Sequence, residues 1–202
     1  MVQAPPQPQL LFLQLPNELA LRVTPEQFAA LAAANRDLRL ERTATGELIV
    51  NPPTGGTTGK RNQSIATQLG VWYEANESLG EAFDSSTGFE LPSGAYRSPD
   101  AAWVKQERWD TLTPKQQDGF IPLCPDFAVE LRSKTDTLKD LRAKMVEYLE
   151  NGAQLGWLID PKNKRVEVYR PGQAVEVLEQ PSTLSGEGVL PGFVLTLKRI
   201  WA

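Results

Sequence analysis

The sequence predicts an α/β fold in which a central mixed β-sheet is flanked by helices, with a helical extension at the N-terminus. Apolar segments of strand length alternate with two long segments of helical periodicity. One of the strand segments, FAVEL, is almost wholly apolar, which is typical of a sheet that is covered on both faces. A strand, a helix and a second strand follow one another between residues 127 and 160, and this order indicates a right-handed βαβ crossover.

Length and composition indicate one globular domain. The 202 residues include 41% hydrophobic and 23% charged side chains, and no apolar run approaches the ~20 residues of a membrane-spanning helix. We assign residues 1–35 to an N-terminal arm with a short helix, and residues 36–202 to the main domain. The N-terminus lacks the basic segment and cleavage site of a signal peptide, so we expect a cytoplasmic protein without membrane association.

The residue types that are missing exclude several kinds of chemistry. The chain has no histidine, which excludes serine–histidine and cysteine–histidine catalysis and histidine zinc sites. Its single cysteine, Cys124, excludes an intramolecular disulfide. A net charge of -4 argues against a protein that coats nucleic acid. Hydrolysis by this chain would therefore have to use carboxylates, lysine and a metal ion.

The first third of the chain predicts a helix, a hairpin and a second helix. Thr24–Gln27 supplies a capping box with a proline in the first turn, ahead of FAALAAAN. LRLERT and ELIV, around Gly46, read as a hairpin with Leu38 and Leu40 on one face. NPPTGGTTG is then expected to be a loop, with a helix from about Thr58.

The remaining segments predict the rest of the sheet and a crossover helix. AFDSSTGFELP reads as one strand kinked near Gly88, and it leads into a second strand, SPDAAWV, that begins at Asp100. Residues 105–123 suggest short helices over the sheet. A helix from roughly Asp136 to Asn151 precedes the strand LGWLID, and a hairpin turning at 171–172 and a C-terminal strand or docking segment complete the domain.

Two carboxylates interrupt apolar strands, Asp100 in SPDAAWV and Glu130 in FAVEL. Burying an ionised carboxylate costs several kcal/mol, so each residue needs a partner. A shared Mg²⁺ or Mn²⁺ would explain both, because such a cation takes one or two carboxylates together with water and phosphate oxygens. The alternatives are that Asp100 caps a turn and that Glu130 forms a salt bridge with Arg132 or Lys144.

Two neighbouring features are ambiguous. Asp126 also follows a proline, but four strand residues at ~3.3 Å each put it ~13 Å from Glu130, too far for a shared ion. A basic cluster after FAVEL is either a solvated helix face or a platform for phosphate groups. Its members are Arg132, Lys134, Lys139, Arg142 and Lys144.

Several segments of the chain together resemble the Uma2-like (DUF820) restriction endonucleases, a family of the PD-(D/E)XK nuclease superfamily that is abundant in cyanobacteria. They are LRLERTATGELIVNPPTGG, SPDAAWV, PDFAVELRS, the helix with Lys144 and Tyr148, and GWLIDPKNKRVEVYRPGQ, which span nearly the whole chain. The resemblance implies a restriction-endonuclease-like core and a Mg²⁺- or Mn²⁺-dependent endonuclease that hydrolyses DNA. Because enzymes that cut both strands often pair their active sites by two-fold symmetry, we also expect a homodimer.

Carried over to this sequence, the resemblance makes Asp100 and Glu130 the metal ligands and Lys144 the third catalytic residue. The superfamily's lysine normally lies two residues after the second acid, where this chain has Arg132. In the Uma2-like group the lysine is on the following helix, at the position of Lys144. Many relatives have a histidine near the position of Asn62, and an asparagine cannot exchange protons near neutral pH.

Two questions stay open at the level of sequence. Lys144 and Arg142 border opposite edges of the apolar stripe of their helix, and a helical wheel does not choose between them. The fold could also serve as a catalytically silent module for DNA binding or protein interaction, which the acidic pI and Arg132 at the lysine position favour.

Overall fold

The computed structural model describes residues 20–202; the first 19 residues of the predicted N-terminal arm lie outside this range. Along the chain the elements are α1 (Pro25–Ala34), β1 (Arg39–Arg42), β2 (Leu48–Asn51), α2 (Gly56–Glu74), a 3₁₀ turn (Glu77–Leu79), β3 (Gly80–Asp84), β4 (Phe89–Glu90), β5 (Tyr96–Arg97), β6 (Ala101–Lys105), α3 (Gln106–Trp109), α4 (Pro114–Gln117), β7 (Phe127–Leu131), α5 (Leu138–Glu150), β8 (Leu155–Asp160), β9 (Arg165–Tyr169), β10 (Glu176–Glu179), β11 (Thr183–Ser185), β12 (Val194–Thr196) and α6 (Lys198–Trp201). None of the helices in this range is long and apolar enough to cross a membrane.

The predicted central mixed sheet is confirmed. Its six strands lie in the order β10-β9-β8-β7-β6-β3, and β7 and β8 are parallel while the other neighbours are antiparallel. The parallel pair is joined through α5, as the strand–helix–strand order predicted. A second sheet, β2-β1-β5-β4, contains the predicted β1–β2 hairpin, and β11 pairs with β12 near the C-terminus.

The three longest helices begin within two residues of their predicted starts; α5 begins at Leu138, two residues after the predicted Asp136. Thr24 and Gln27 form the predicted capping box of α1. Helix α2 begins at Gly56, two residues before the predicted start, with Gly55 as its N-cap. Helix α5 follows the cap residue Thr137, whose side chain accepts the backbone N–H of Asp140.

Two predictions about the N-terminal half were wrong in detail. Leu38 does not share a buried face with Leu40: it is 50% exposed, because a turn after α1 delays the start of β1 until Arg39. The segment from Ala82 to Pro92 is not one kinked strand. Asp84 accepts bonds from the backbone N–H and hydroxyl of Ser86, and this turn separates β3 from β4, which belong to different sheets.

Side-chain alternation along β7 positions the candidate site. Phe127, Val129 and Leu131 pack with α2 and the C-terminal segment on one face of the central sheet. Ala128 points to the other face, against α5, together with Met145 and Tyr148. Because side chains alternate along a strand, Glu130 lies on the α5 face. All five residues of the strand are buried, so the sheet is covered on both faces here, as predicted.

Candidate active site

The residues selected from the sequence meet in one cavity of about 510 Å³. Asp100, Glu130 and Lys144 all line it. Two further segments line the same cavity: residues 51–58, which run from the end of β2 through a loop into the first turn of α2, and the loop of residues 133–136, which follows β7. The glycine-rich segment that the sequence identified only as a turn is therefore part of the cavity wall.

Asp100 and Glu130 lie on neighbouring segments of the central sheet. Ala101 pairs with Val129 in the antiparallel β6–β7 ladder, and Asp100 precedes this ladder, with its backbone N–H donating to the carbonyl of Val129 at 2.9 Å. Asp100 therefore lies beside the end of β7 that carries Glu130. Both side chains are buried. By contrast, Asp126 accepts the backbone N–H of Lys105 and does not line the cavity.

Neighbouring elements, not its own turn, supply the hydrogen-bond donors of Asp100. Oδ2 accepts the backbone N–H of Leu131 at 2.8 Å, and Oδ1 accepts the side-chain amide of Asn62 at 3.1 Å. Asn62 lies in α2, on the side that carries the buried Ile65. The Nη1 atom of Arg39 lies 3.5 Å from Oδ1. These contacts hold the carboxylate in a fixed orientation towards the cavity.

Lys144 is the basic side chain that reaches the carboxylates. Its Nζ lies 2.8 Å from Oε1 of Glu130 and 3.0 Å from Oε1 of Glu41, and its side chain is only 12% exposed. Burial acts to lower the pKa of Lys144, but Glu130 and Glu41 outweigh burial and raise it, so the ammonium stays protonated. The sequence alternatives are bonded elsewhere: Arg142 to Glu167 and Arg132 to Asp160.

The basic cluster is therefore not a continuous platform for phosphate. Arg132, Arg142 and Lys144 each pair with buried carboxylates, and Lys134 is the further member that lines the cavity. Phosphate contacts at this site would come from Lys134 and the loop backbones rather than from an exposed basic helix face.

Glu130 is only partly compensated by its neighbours. Its Oε1 accepts the hydroxyl of Tyr148 at 2.9 Å as well as the ammonium of Lys144, but no residue in 20–202 donates a hydrogen bond to Oε2. Burial raises the pKa of Glu130 to about 7; Lys144 opposes this rise, while Asp100 and Glu41 add to it. The carboxylate thus has an oxygen without a donor, next to the cavity.

Glu41 is a site residue that the sequence reasoning missed. Its Oε1 accepts the ammonium of Lys144 and the backbone N–H of Ser98, and its Oε2 lies 3.3 Å from Nη1 of Arg97. Burial acts to raise the pKa of Glu41, but Lys144 and Arg97 lower it overall, so it is ionised. Glu41 and Arg39 alternate with Leu40 in β1, and this is the only signal in the sequence; an ordinary solvated strand face gives the same pattern.

The residues around the cavity suit a hard divalent cation. In the part of the chain that the structure describes, four carboxylates meet three cations in these ion pairs: Glu41, Asp100, Glu130 and Glu147 against Arg39, Arg97 and Lys144. Within residues 20–202 no group of three or more acidic, cysteine or histidine side chains could hold a metal ion. Asp100 and Glu130 are a pair, and Mg²⁺ commonly uses one or two carboxylates with water and substrate phosphate completing its shell.

Comparisons with known proteins agree with the predicted fold. A protein of Anabaena variabilis ATCC 29413, described as "a putative nuclease belonging to DUF820", superimposes with a TM-score of 0.72 at 22% identity, covering 89% of this chain and 97% of its own. A DrdV–DNA complex matches at a TM-score of 0.35 and 16% identity, over 60% of this chain and 10% of its own, which is too low to bear on the fold. A search of curated proteins found no match.

The family model described as "Uma2: Putative restriction endonuclease" matches residues 25–198, from α1 into α6. This range includes every residue of the candidate site. The chain belongs to the Uma2 family.

Proposed function

We propose that the protein is a Mg²⁺- or Mn²⁺-dependent endonuclease that hydrolyses phosphodiester bonds in DNA. Asp100 and Glu130 would hold the cation, and Lys144 would be the third catalytic residue. The observation that carries the proposal is the ammonium of Lys144, 2.8 Å from Glu130 and beside a cavity that Asp100 also lines. Membership of the Uma2 family supports a nuclease role.

Within this proposal, hydrogen-bond donors orient the two carboxylates that would hold the cation. The Leu131 N–H and the Asn62 amide orient Asp100, and the Tyr148 hydroxyl orients Glu130. When bound, a divalent cation supplies Lewis acidity, which makes the attacking water more acidic and neutralises charge on the phosphate. Glu130 would hold the cation as the ionised carboxylate, so metal binding would be favoured above its raised pKa of about 7.

Lys144 acts in this scheme as a fixed positive charge. Because its pKa is raised, the ammonium does not serve as a general base. It can donate a hydrogen bond to the attacking water or to a phosphate oxygen, where it stabilises the negative charge that develops during hydrolysis. Glu41 is a positioning residue, since it lies 3.0 Å from the ammonium, and Arg97 acts through it by contacting Glu41.

DNA would enter between the two loops of the cavity. On one side, the backbone at Gly55 and Gly56 is open, since a Cβ added at either residue would meet no atom within 4 Å. On the other side, the loop of residues 133–136 presents Lys134. With a net charge of -4, binding would depend on these local contacts and would weaken at high salt. Two copies related by two-fold symmetry would allow both strands to be cut, so a homodimer is part of the proposal.

The test uses the two Pro-Asp pairs of the chain. Purified protein is expected to nick or cut plasmid DNA only with Mg²⁺ or Mn²⁺, and Asp100→Asn should abolish cutting. Asp126→Asn is the matched control, because Asp126 lies outside the cavity and should leave metal-dependent cutting in place. Equal cutting by the wild type and Asp100→Asn would refute the assignment. A monomeric mass by light scattering at micromolar protein concentration would refute the homodimer and leave the rest of the proposal standing.

A catalytically silent DNA-binding or protein-interaction module is the second candidate. Arg39 lies against Asp100, and the side-chain amide of Asn62 donates to the same carboxylate, so protein groups already satisfy much of the site. A calorimetric titration with Mn²⁺ separates the two candidates. Absence of binding at millimolar Mn²⁺ would favour the silent module.

A further inference from the structure

Among residues 20–202, two cations contact a proposed metal ligand: Lys144 contacts Glu130, and Arg39 contacts Asp100. Its Nη1 lies 3.5 Å from Oδ1 of Asp100, and its Nη2 donates to the carbonyl of Ser98. Its Nε–H is buried without an acceptor among residues 20–202. About a third of the side chain, 34%, remains exposed. The guanidinium thus has a donor that its present position does not use.

Arg39 lines two cavities. It lines the cavity of the candidate site and also a second cavity of about 740 Å³. The second cavity is formed by the end of α1 and the residues after it, together with parts of 85–88 and 118–120. Arg39 therefore borders open volume beyond its contact with Asp100.

The charge of Arg39 has opposite effects on the two ligands of the proposed enzyme. Arginine is always protonated, so it competes with a cation for Asp100 and lowers the affinity of the site for metal. A phosphate group is the better partner for its planar fork of donors, because two parallel N–H bonds can then form. If the Arg39 guanidinium moved from Asp100 to a phosphate as DNA binds, it would no longer compete with the metal ion for Asp100.

We propose that Arg39 couples metal binding to DNA binding: it is the counter-ion of Asp100 in the free protein and transfers to a substrate phosphate. This inference rests on the proposed function, since it needs both ligands. Coupling of this kind is reciprocal, so DNA raises the affinity for metal by the same factor as metal raises the affinity for DNA. Without DNA, metal binds weakly to the wild type.

The test is Arg39→Gln, with Arg36→Gln as the control. Arg36 lines only the second cavity, so the control removes a nearby charge without touching Asp100. Calorimetric titration with Mn²⁺ in the absence of DNA should show that Arg39→Gln binds metal more tightly than the wild type, by about fivefold or more. Fluorescence anisotropy of a labelled duplex in Ca²⁺ should show weaker DNA binding by a similar factor. Arg36→Gln should leave metal affinity unchanged.

Coupling predicts that Arg39→Gln binds metal more tightly and DNA more weakly. A purely structural role for Arg39 predicts that both affinities fall. Unchanged or weaker Mn²⁺ binding by Arg39→Gln would overturn the inference while leaving a metal-binding, DNA-cutting wild type intact. A wild type that binds no Mn²⁺ would overturn both the inference and the proposed function. If Arg39→Gln melts well below the wild type, Arg39→Lys takes its place: it keeps the charge and loses the fork, so DNA binding alone should weaken. Unchanged DNA binding by Arg39→Lys would also overturn the inference.

Discussion

Helix α5 carries two basic residues that each meet a buried glutamate, and the two pairs behave differently. Arg142 binds both oxygens of Glu167 through Nε and Nη2, at 2.5–3.0 Å, and the hydroxyl of Tyr169 donates to the same carboxylate. Lys144, two residues later, divides one ammonium between Glu130 and Glu41. Both oxygens of Glu167 accept hydrogen bonds, whereas among residues 20–202 only one oxygen of Glu130 has a donor.

The pKa directions follow from this difference. The bond from Arg142 lowers the pKa of Glu167, against the opposing effect of burial. Burial raises the pKa of Glu130, and the shared ammonium does not cancel it. Both glutamates are buried, and only Glu130 lines the candidate cavity. A buried ion pair is therefore not a sign of a functional site; incomplete compensation next to a cavity is the more specific indication.

The largest expected contrast is in DNA cleavage. Glu130→Gln should lower metal-dependent cutting by at least about 10³-fold, because loss of a metal ligand removes several kcal/mol of charge stabilisation. Glu167→Gln removes the same charge from the other pair and should cut at the wild-type rate. Initial rates on a plasmid substrate measure both. Similar losses in the two variants would mean that the pairs do not differ in function.

Replacement of the basic partners should give a smaller but clear contrast in stability. Lys144→Met leaves both Glu41 and Glu130 buried without their ammonium, which should cost about 3 kcal/mol of unfolding free energy. Arg142 is 49% exposed, so solvent screens its pair, and Arg142→Met should cost only about 1 kcal/mol. Urea unfolding at pH 7 measures the two values. A greater loss for Arg142→Met would reverse this ranking.

The same glutamate variants should change stability in opposite directions. At pH 8 and without metal, Glu130→Gln should raise the unfolding free energy by about 1–2 kcal/mol, because it removes an under-compensated buried charge. Its amide oxygen can still accept from Tyr148 and Lys144. Glu167→Gln should lower the unfolding free energy by about 1–2 kcal/mol, because it breaks a charged, bidentate bond. Destabilisation by both variants would show that Glu130 is as well compensated as Glu167.

The smallest effect is the pH dependence of the Glu167 contribution. The folded-state pKa of Glu167 is lowered, so its stabilisation is complete above the unfolded-state value of about 4.3 and is lost as pH falls through the folded value. The difference in unfolding free energy between the wild type and Glu167→Gln should be constant from pH 8 to about 6 and shrink below about pH 4. Urea titrations across this range measure it. If the difference in unfolding free energy grew as the pH fell, the pKa of Glu167 would be raised in the folded state, not lowered.

The two pairs also show what could be predicted from the sequence. Glu130 was identifiable because FAVEL is apolar around it, and the βαβ order placed α5 over that strand. The sequence did not decide between Lys144 and Arg142, because the choice depends on which glutamate of the sheet each side chain reaches. A helical wheel shows the faces of the helix but not the positions of the strands beneath it. Arg132 was uninformative for the same reason: its partner, Asp160, comes from the neighbouring strand β8.

Features that depend on long-range packing were the ones the sequence did not predict. Glu41 alternates with Leu40 as any charged strand residue would, and only the meeting of β1 with α5 makes it a partner of Lys144. The split of the strands into two sheets rests on β4 and β5, which have two residues each, too short for a periodic signal. Local patterns thus predicted most of the elements and singled out Asp100 and Glu130 as candidates, but not how the second sheet contributes to the site.

The most direct test of the account is a calorimetric titration of Mn²⁺ into three proteins: the wild type, Glu130→Gln and Glu167→Gln. The wild type and Glu167→Gln are expected to bind one ion per chain with equal affinity, and Glu130→Gln is expected to bind none at millimolar metal. Equal binding by all three proteins, or no binding by the wild type, would contradict the claim that the under-compensated pair is the metal site.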